Sequence, residues 1–262
     1  MDETAVYFED NRTQTVDLVG RKHVVMKSTG FSSMRITAVM SVLADGRKAS
    51  PLIIHKGKNS NTIKREYGIY SINQDRAWVN QELIISWIDL MFPFFDLSSG
   101  KCIIMDSCRA HISDKVKKHC NKRAIKLIII PGGLIPYLQA GDIGIFREFK
   151  DIVSRLINEW KHSDTIEYTR GGNPKSPSHQ LVSSWVSLGW NELSISNVRN
   201  SIKSAGISTN YQDWHIAKHD IYGNLFREKF LSSAIDIPNR NIISDDIVTD
   251  DIEDDVFELV DD

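Results

Sequence analysis

Three acidic residues that lie far apart in the sequence, Asp2, Asp106 and Asp142, could share divalent cations. Asp2 precedes a β-prone apolar run, Asp106 ends the apolar run 102–105, and Asp142 opens the longest helical pattern. An acid at the end of an element is often only a cap or a turn residue, so each acid alone says little. Three carboxylates at one sheet edge, however, repel each other unless a cation lies between them. The pattern therefore predicts Asp2, Asp106 and Asp142 as ligands of Mg²⁺ or Mn²⁺ and as catalytic residues in phosphodiester cleavage with two cations.

The elements around these acids predict a mixed sheet flanked by helices. Runs 102–105 and 125–130 have the apolar character of buried strands, and the Asp45-Gly46 pair predicts a hairpin turn within an antiparallel meander. A strand is also expected over 22–27, whereas 57–76 has the polar composition of an irregular loop. Helices are predicted after Asn80, over 113–123 and after Asp142, where apolar residues recur at spacings of three and four. This order indicates an α/β or α+β fold.

Composition limits the class of protein without identifying it. The chain has 262 residues, of which 41% are hydrophobic and 25% charged, and it contains no apolar run of the roughly 20 residues that a membrane helix needs. Ten Asp or Glu residues lie in 245–262, where there is no Lys or Arg, so residues 1–244 carry a net charge of about +8. A basic body suits a polyanionic partner, but it also serves solubility. The three cysteines contain no CxxC pair, which argues against a disulfide framework or a cysteine zinc site.

Six motifs occur in the order known from one family: residues 1–4, 29–30, 44–46 with 51–58, 105–111, 130–134, and 138–142 with 149–150. On these motifs, residues 1–165 resemble the DDE endonuclease domain of pogo/Tigger-type transposases, a group of the mariner superfamily that includes centromere protein B. Residues 185–208 resemble the helical region that often follows that domain. The resemblance implies an RNase H-like fold for the core over 1–165. The polar stretch 164–178, with Gly171-Gly172 and two prolines, is a linker candidate before a helical appendage over 166–235. The acidic tail over 236–262 has too little periodic apolar content to pack and is expected to be disordered.

The resemblance also implies an activity and a site. Asp2, Asp106 and Asp142 correspond to the acidic triad, which uses Mg²⁺ to hydrolyse and transfer DNA phosphodiesters at transposon ends. His111 stands in a family-like position, where it would orient the site or serve as a core or helix-start histidine. A nuclear location follows from the same resemblance, and a homodimer stays open.

Two departures from the family pattern favour a second hypothesis. The family has a proline before its third acid where this chain has Ala140-Gly141, and family members carry a strand leading into the first acid, so the first strand is expected to be truncated. The alternative is therefore a domesticated or decayed relative that binds nucleic acid and cuts weakly or not at all. A nuclease of the same fold that is unrelated to transposition is a third hypothesis.

Other reactive residues have weaker cases. Cys108 lies beside the site, but no base for a cysteine nucleophile is evident in the sequence. His215 and His219 have the spacing of a helical metal pair without an accompanying glutamate motif, which favours a solvated pair. The lysines between 115 and 122 could contact DNA phosphates or simply form a solvated helix face.

Overall fold

The computed structural model describes residues 1–9, 31, 34–60, 62–92, 101–172, 174–220 and 222–235. Seven strands are described, and they lie in two sheets: β1 (Asp2–Tyr7), β2 (Arg35–Met40), β3 (Leu52–Lys56), β4 (Lys64–Glu66), β5 (Ile69–Gln74), β6 (Lys101–Asp106) and β7 (Ile125–Ile130). The expected strand over 22–27 and the tail 236–262 lie outside the described residues.

The first sheet has the order β1-β2-β3-β5-β4. Strands β1, β2 and β3 pair antiparallel, and Gly46 takes the φ of +91° that the tight turn between β2 and β3 requires, as the Asp45-Gly46 pair predicted. The expectation of an irregular loop over 57–76 is wrong, because β5 pairs parallel with β3 and β4 pairs antiparallel with β5. β5 gains stability from pairing with β3, and β4 gains it from pairing with β5, neither of which a polar local sequence reveals.

Strands β6 and β7 form a second, parallel sheet, in register from Lys101 opposite Ile125 to Asp106 opposite Ile130. Helix α2 (Asp114–Lys122) connects them, so the three elements make a βαβ unit. The Met1 amino group donates a hydrogen bond to the Ile104 carbonyl oxygen at 2.9 Å. This bond joins the beginning of β1 to the end of β6, so that Asp2 and Asp106 lie in the same region.

Helices cover both faces of these strands. Helix α1 (Gln81–Met91) begins at the Asn80 cap, as predicted, and buries Leu83, Ile84, Trp87, Ile88 and Met91 in a core that it shares with α2, β3 and β6. Helix α4 (Phe146–Lys161) packs against the opposite side together with α5 (His179–Glu192) and α6 (Ile195–Ser204). The helix α7 (Gly223–Ile235) follows, and the short α3 (Ile135–Leu138) precedes α4. The structure therefore confirms the predicted mixed α/β class.

Helices α5 and α6 belong to the same buried cluster as β1 and α4, through Trp185, Trp190 and Val198 among others. Lys48 strengthens this attachment by donating hydrogen bonds to the carbonyl oxygens of Trp190 at 2.5 Å and Leu193 at 2.8 Å, at the end of α5. The division into a core over 1–165 and an appendage over 166–235 stays a prediction. Within the described residues, no helix is both long and apolar enough to cross a membrane.

Candidate active site

Three elements bring the predicted acids to one region of the fold. Asp2 opens β1, Asp106 is the last residue of β6, and Asp142 lies in a π-helical turn over Gly141–Ile145 that runs into α4. A π-turn widens a helix locally and is often found at functional sites. Here it turns the chain so that Gly141 lies directly against the Asp2 carboxylate: a Cβ atom on Gly141 would be 2.9 Å from Asp2 Oδ2.

The Asp2 carboxylate is held in a poorly solvated position. Its Oδ1 accepts a hydrogen bond from the Glu3 amide at 2.8 Å, but its buried Oδ2 has no hydrogen-bond partner among the described residues. Burial raises the pKa of Asp2 to about 7; the nearby side-chain amide of Gln139 opposes the rise, and the charges of Asp142 and Glu3 add to it. A carboxylate oxygen without a partner, near other acids, is chemically suited to binding a divalent cation.

Asp106 has the opposite environment, because both hydrogen bonds that its Oδ1 accepts stabilise the charged form. His111 Nδ1 lies 2.5 Å from Asp106 Oδ1, and the Cys108 amide donates to the same oxygen at 3.1 Å. The hydrogen bond with His111 lowers the pKa of Asp106, against the effect of burial. Asp106 is therefore ionised at neutral pH, with its Oδ1 occupied by protein donors.

His111 connects two acids from different strands. It is fully buried, with its Nδ1 on Asp106 and its Nε2 at 2.9 Å from Glu3 Oε1. Burial alone would lower the pKa of His111, but the hydrogen bonds and charges of Asp106 and Glu3 outweigh it and raise the pKa to about 10. An imidazolium that donates from both nitrogens has no lone pair for a metal ion or for activation of a nucleophile. His111 therefore contacts Asp106 and Glu3 with its two ring nitrogens and offers no free lone pair to a metal ion.

Asp142 is half-buried at the mouth of α4. Burial raises its pKa, the ammonium group of Lys150 lowers it, and the negative charge of Asp106 raises it. Asp142 thus interacts electrostatically with both other acids, since its charge also raises the pKa of Asp2. Asp142 therefore couples the three acids electrostatically, and their joint binding of a cation stays a prediction.

The carboxylate oxygens of Asp2, Asp106 and Asp142 do not all lie within 4.8 Å of one another. Within the described ranges, the only group of three or more His, Cys, Asp or Glu side chains whose ligand atoms all lie within 4.8 Å of one another is Asp106, Cys108 and His111. That group is a poor metal site, because both nitrogens of His111 are hydrogen-bonded to carboxylates. The same bonds remove His111 as a base for the exposed Cys108, which argues against a cysteine nucleophile.

Sequence reasoning missed two residues of this site, Glu3 and Gln139. Glu3 reaches His111 across 108 positions, and Gln139 is a buried amide beside Asp2. In the sequence, only their positions could have indicated them: Glu3 follows Asp2 directly, and Gln139 lies three residues before Asp142. The His215 and His219 pair, by contrast, packs its rings near Tyr137, at centroid distances of 6.0 and 5.6 Å.

Comparison with known proteins gives one family and several relatives. The family model described as DDE superfamily endonuclease matches residues 33–202, which include Asp106 and Asp142 but not Asp2. Among curated proteins, the chain is 29% identical over 230 residues to the mouse Pogo transposable element with KRAB domain, covering 87% of this chain and 38% of the mouse protein. The human protein of the same name is 30% identical over 215 residues, with 81% and 35% covered. The chain thus spans little more than a third of the length of these relatives.

Two solved structures of the Mos1 transposase are also similar. The Mos1 strand transfer complex matches with a TM-score of 0.47 and 11% identity over 78% of this chain and 50% of that chain. The Mos1 paired-end complex with the left transposon end matches with a TM-score of 0.38 and 12% identity, covering 78% of this chain and 54% of that chain.

Proposed function

Because the chain belongs to the DDE superfamily of endonucleases, we propose that it is the core of a transposase-derived DNA endonuclease in which Asp2, Asp106 and Asp142 bind Mg²⁺ or Mn²⁺. The observation that carries the proposal is the Asp2 carboxylate, whose buried Oδ2 has no partner among the described residues and lies against the Gly141-Asp142 turn. A buried carboxylate oxygen without a hydrogen-bond partner is costly, and a bound cation would be a physical reason to keep one there.

The donor set fits a hard divalent cation. The three side chains offer carboxylate oxygens only, and Mg²⁺ and Mn²⁺ prefer oxygen ligands over nitrogen or sulfur. When bound, two such cations would activate an attacking oxygen and stabilise the leaving oxygen of a phosphodiester. The carboxylate oxygens are not all within 4.8 Å of one another, so cation binding would draw them closer.

The chain's own residues prepare this site in different ways. Asp106 stays ionised and presents Oδ2, because Oδ1 is engaged by His111 and the Cys108 amide. Asp2 must lose its proton before it can bind a cation, since its pKa is about 7. Asp142, in the π-turn that runs into α4, would supply the third carboxylate.

DNA is the substrate that best fits the rest of the chain. Residues 1–244 carry a net charge of about +8, which favours a phosphate backbone, and the named relatives are proteins of a pogo transposable element. Transposon ends are the corresponding site in an intact relative, where water would cut a strand and a DNA 3′-hydroxyl would join one. A nuclear location follows from a DNA substrate, and a homodimer remains a prediction.

A second function, DNA binding without cleavage, is favoured by the loop before Asp142. Ala140-Gly141 lacks the proline that the family resemblance leads one to expect, and glycine restricts the backbone beside Asp142 less than proline would. Catalysis tolerates little misplacement, so this copy would then retain the fold and the DNA affinity alone.

Nicking of supercoiled DNA by the purified chain separates the two functions. The endonuclease proposal predicts nicking that requires Mg²⁺ or Mn²⁺ and falls at least about 100-fold in Asp106→Asn, which preserves the size of the side chain. Equal nicking by both proteins, or none by either, would remove the enzymatic function. DNA binding measured on the same samples then decides whether the binding function stands.

A further inference from the structure

Glu3 has a structural position that the proposed acidic triad does not use. Successive side chains of a strand point to opposite faces, so Asp2 and Glu3 leave β1 in opposite directions. Asp2 faces the turn at Gly141, whereas Glu3 reaches the end of β6 and accepts a hydrogen bond from His111 Nε2 at 2.9 Å. Strand β1 therefore carries one acid, Asp2, at the proposed cation site and another acid, Glu3, that contacts His111.

The other ring nitrogen of His111 contacts Asp106 Oδ1. The ring is fully buried, so its orientation is set by the two acids that its nitrogens contact and by the packing around it. The Asp106 oxygen on His111 also accepts the Cys108 amide at 3.1 Å, which fixes the carboxylate at two points. With these two donors on Oδ1, the other oxygen of Asp106 is left for a cation.

We propose that Glu3 is a positioning residue: it holds His111, and His111 holds the Asp106 carboxylate in the one orientation that leaves Oδ2 available. The part of this proposal that concerns the cation rests on the proposed function. The part that concerns the orientation of Asp106 stands on the hydrogen bonds alone. The structure thus adds a chain Glu3–His111–Asp106 that joins β1 to the turn after β6.

Carboxylates that bind cations depend on such partners, and losing one typically costs 10- to 100-fold in metal affinity. We therefore expect Glu3→Ala to weaken Mn²⁺ binding by about 10- to 100-fold in calorimetric titration of the full chain. Glu3→Gln should stay within about threefold of the unchanged chain, because an amide can either accept from or donate to His111 Nε2. A direct cation ligand would behave differently, since the neutral amide would lose affinity as alanine does.

A double-mutant cycle tests whether Glu3 acts through His111. If it does, Glu3→Ala combined with His111→Ala should bind Mn²⁺ no more weakly than His111→Ala alone, because the second change removes a contact that is already broken. Additive losses would overturn the proposal. Glu82→Ala is the matched control, because Glu82 is an exposed glutamate whose partner is Lys115, and it should leave Mn²⁺ affinity unchanged. Glu3→Met fills the same space without accepting a hydrogen bond and replaces Glu3→Ala if that variant does not fold.

Amide hydrogen exchange gives a readout that needs no cation. The Cys108 amide donates to Asp106 Oδ1, so it should exchange at least about tenfold faster in Glu3→Ala than in Glu3→Gln, with the global melting temperature used to exclude general unfolding. Unchanged exchange in Glu3→Ala would refute the positioning role. If exchange rises as expected but the unchanged chain binds no Mn²⁺, the positioning of Asp106 holds and the proposed cation site fails.

Discussion

Gly141→Ala is the substitution that tests the geometry of the site most sharply. A methyl group on Gly141 would lie 2.6 Å from Phe146 Cζ, 2.7 Å from Phe146 Cε2 and 2.9 Å from Asp2 Oδ2, where ordinary contacts are 3.4–4 Å. Phe146 is only 5% exposed, so its ring cannot turn into solvent. The ring, the π-turn or the Asp2 carboxylate must therefore move by roughly 1 Å, which typically costs about 1–3 kcal/mol in a packed interior.

This cost should be visible in both stability and function. For a chain of this size, about 1–3 kcal/mol lowers the melting temperature by about 2–12 °C. A displacement of roughly 1 Å between Asp2 and Asp142 should reduce metal-dependent nicking by about 100-fold. Gly132→Ala is the matched control, because its methyl group would meet only Ser107 Oγ at 3.7 Å. It should stay within about 0.5 kcal/mol of the unchanged chain.

Thermal melting and nicking are measured on the three proteins under the same conditions. If Gly141→Ala melts and nicks like Gly132→Ala, the turn does not lie against Asp2 as described, and the argument that Asp2 and Asp142 form one site is refuted.

Three further predictions follow from the electrostatics and the packing. Mn²⁺ affinity should rise with pH up to about 7 and then level off, because Asp2 has a pKa of about 7 and must release its proton to bind the cation. Calorimetric titration at about pH 5.5 to 8.5 measures this pH dependence, and an affinity that does not change with pH would contradict the prediction. Asp2→Asn should stabilise the metal-free chain above pH 7. The pKa of Asp2 rises from 3.8 to about 7 on folding, so the free energy of unfolding of the unchanged chain falls by up to about 4 kcal/mol as the pH rises through this window. The side-chain amide that Asp2→Asn introduces does not titrate, so the variant does not lose this stability. Equal melting temperatures of the two proteins at pH 8 would show that the carboxylate is well solvated. Lys48→Met should lower the free energy of unfolding by about 1–3 kcal/mol, because Lys48 donates hydrogen bonds to carbonyl oxygens at the end of α5. Lys118→Met, at an exposed lysine, is the control. Equal effects of the two substitutions in denaturant titrations would show that Lys48 does not stabilise the end of α5.

Much of the fold could be predicted because its elements carry local signals. Helix α1 has an asparagine cap and apolar residues at helical spacing, and strand β6 is a continuous apolar run that ends at an acid. The turn at Gly46 was predicted because glycine there permits the positive φ. The strands β4 and β5 were missed, because their pairing with each other and with β3 is a property of the tertiary structure.

The site shows the same division. The proximity of Asp2, Asp106 and Asp142 could be predicted, since each lies at an end of a recognisable element and the motifs around them occur in a known order. The residues that contact these acids could not be predicted from the sequence. Glu3 contacts His111 only because β1 lies beside the end of β6, and Gly141 contacts Asp2 only because a π-turn replaces a regular helical start.

Anomalous diffraction from crystals soaked in Mn²⁺ locates the cation without relying on activity. We expect an anomalous peak coordinated by carboxylate oxygens of Asp2, Asp106 and Asp142 at about 2.0–2.2 Å, with the peak lost in Asp106→Asn. A peak on Cys108 and His111, or no peak at the three acids in saturating Mn²⁺, would contradict this expectation.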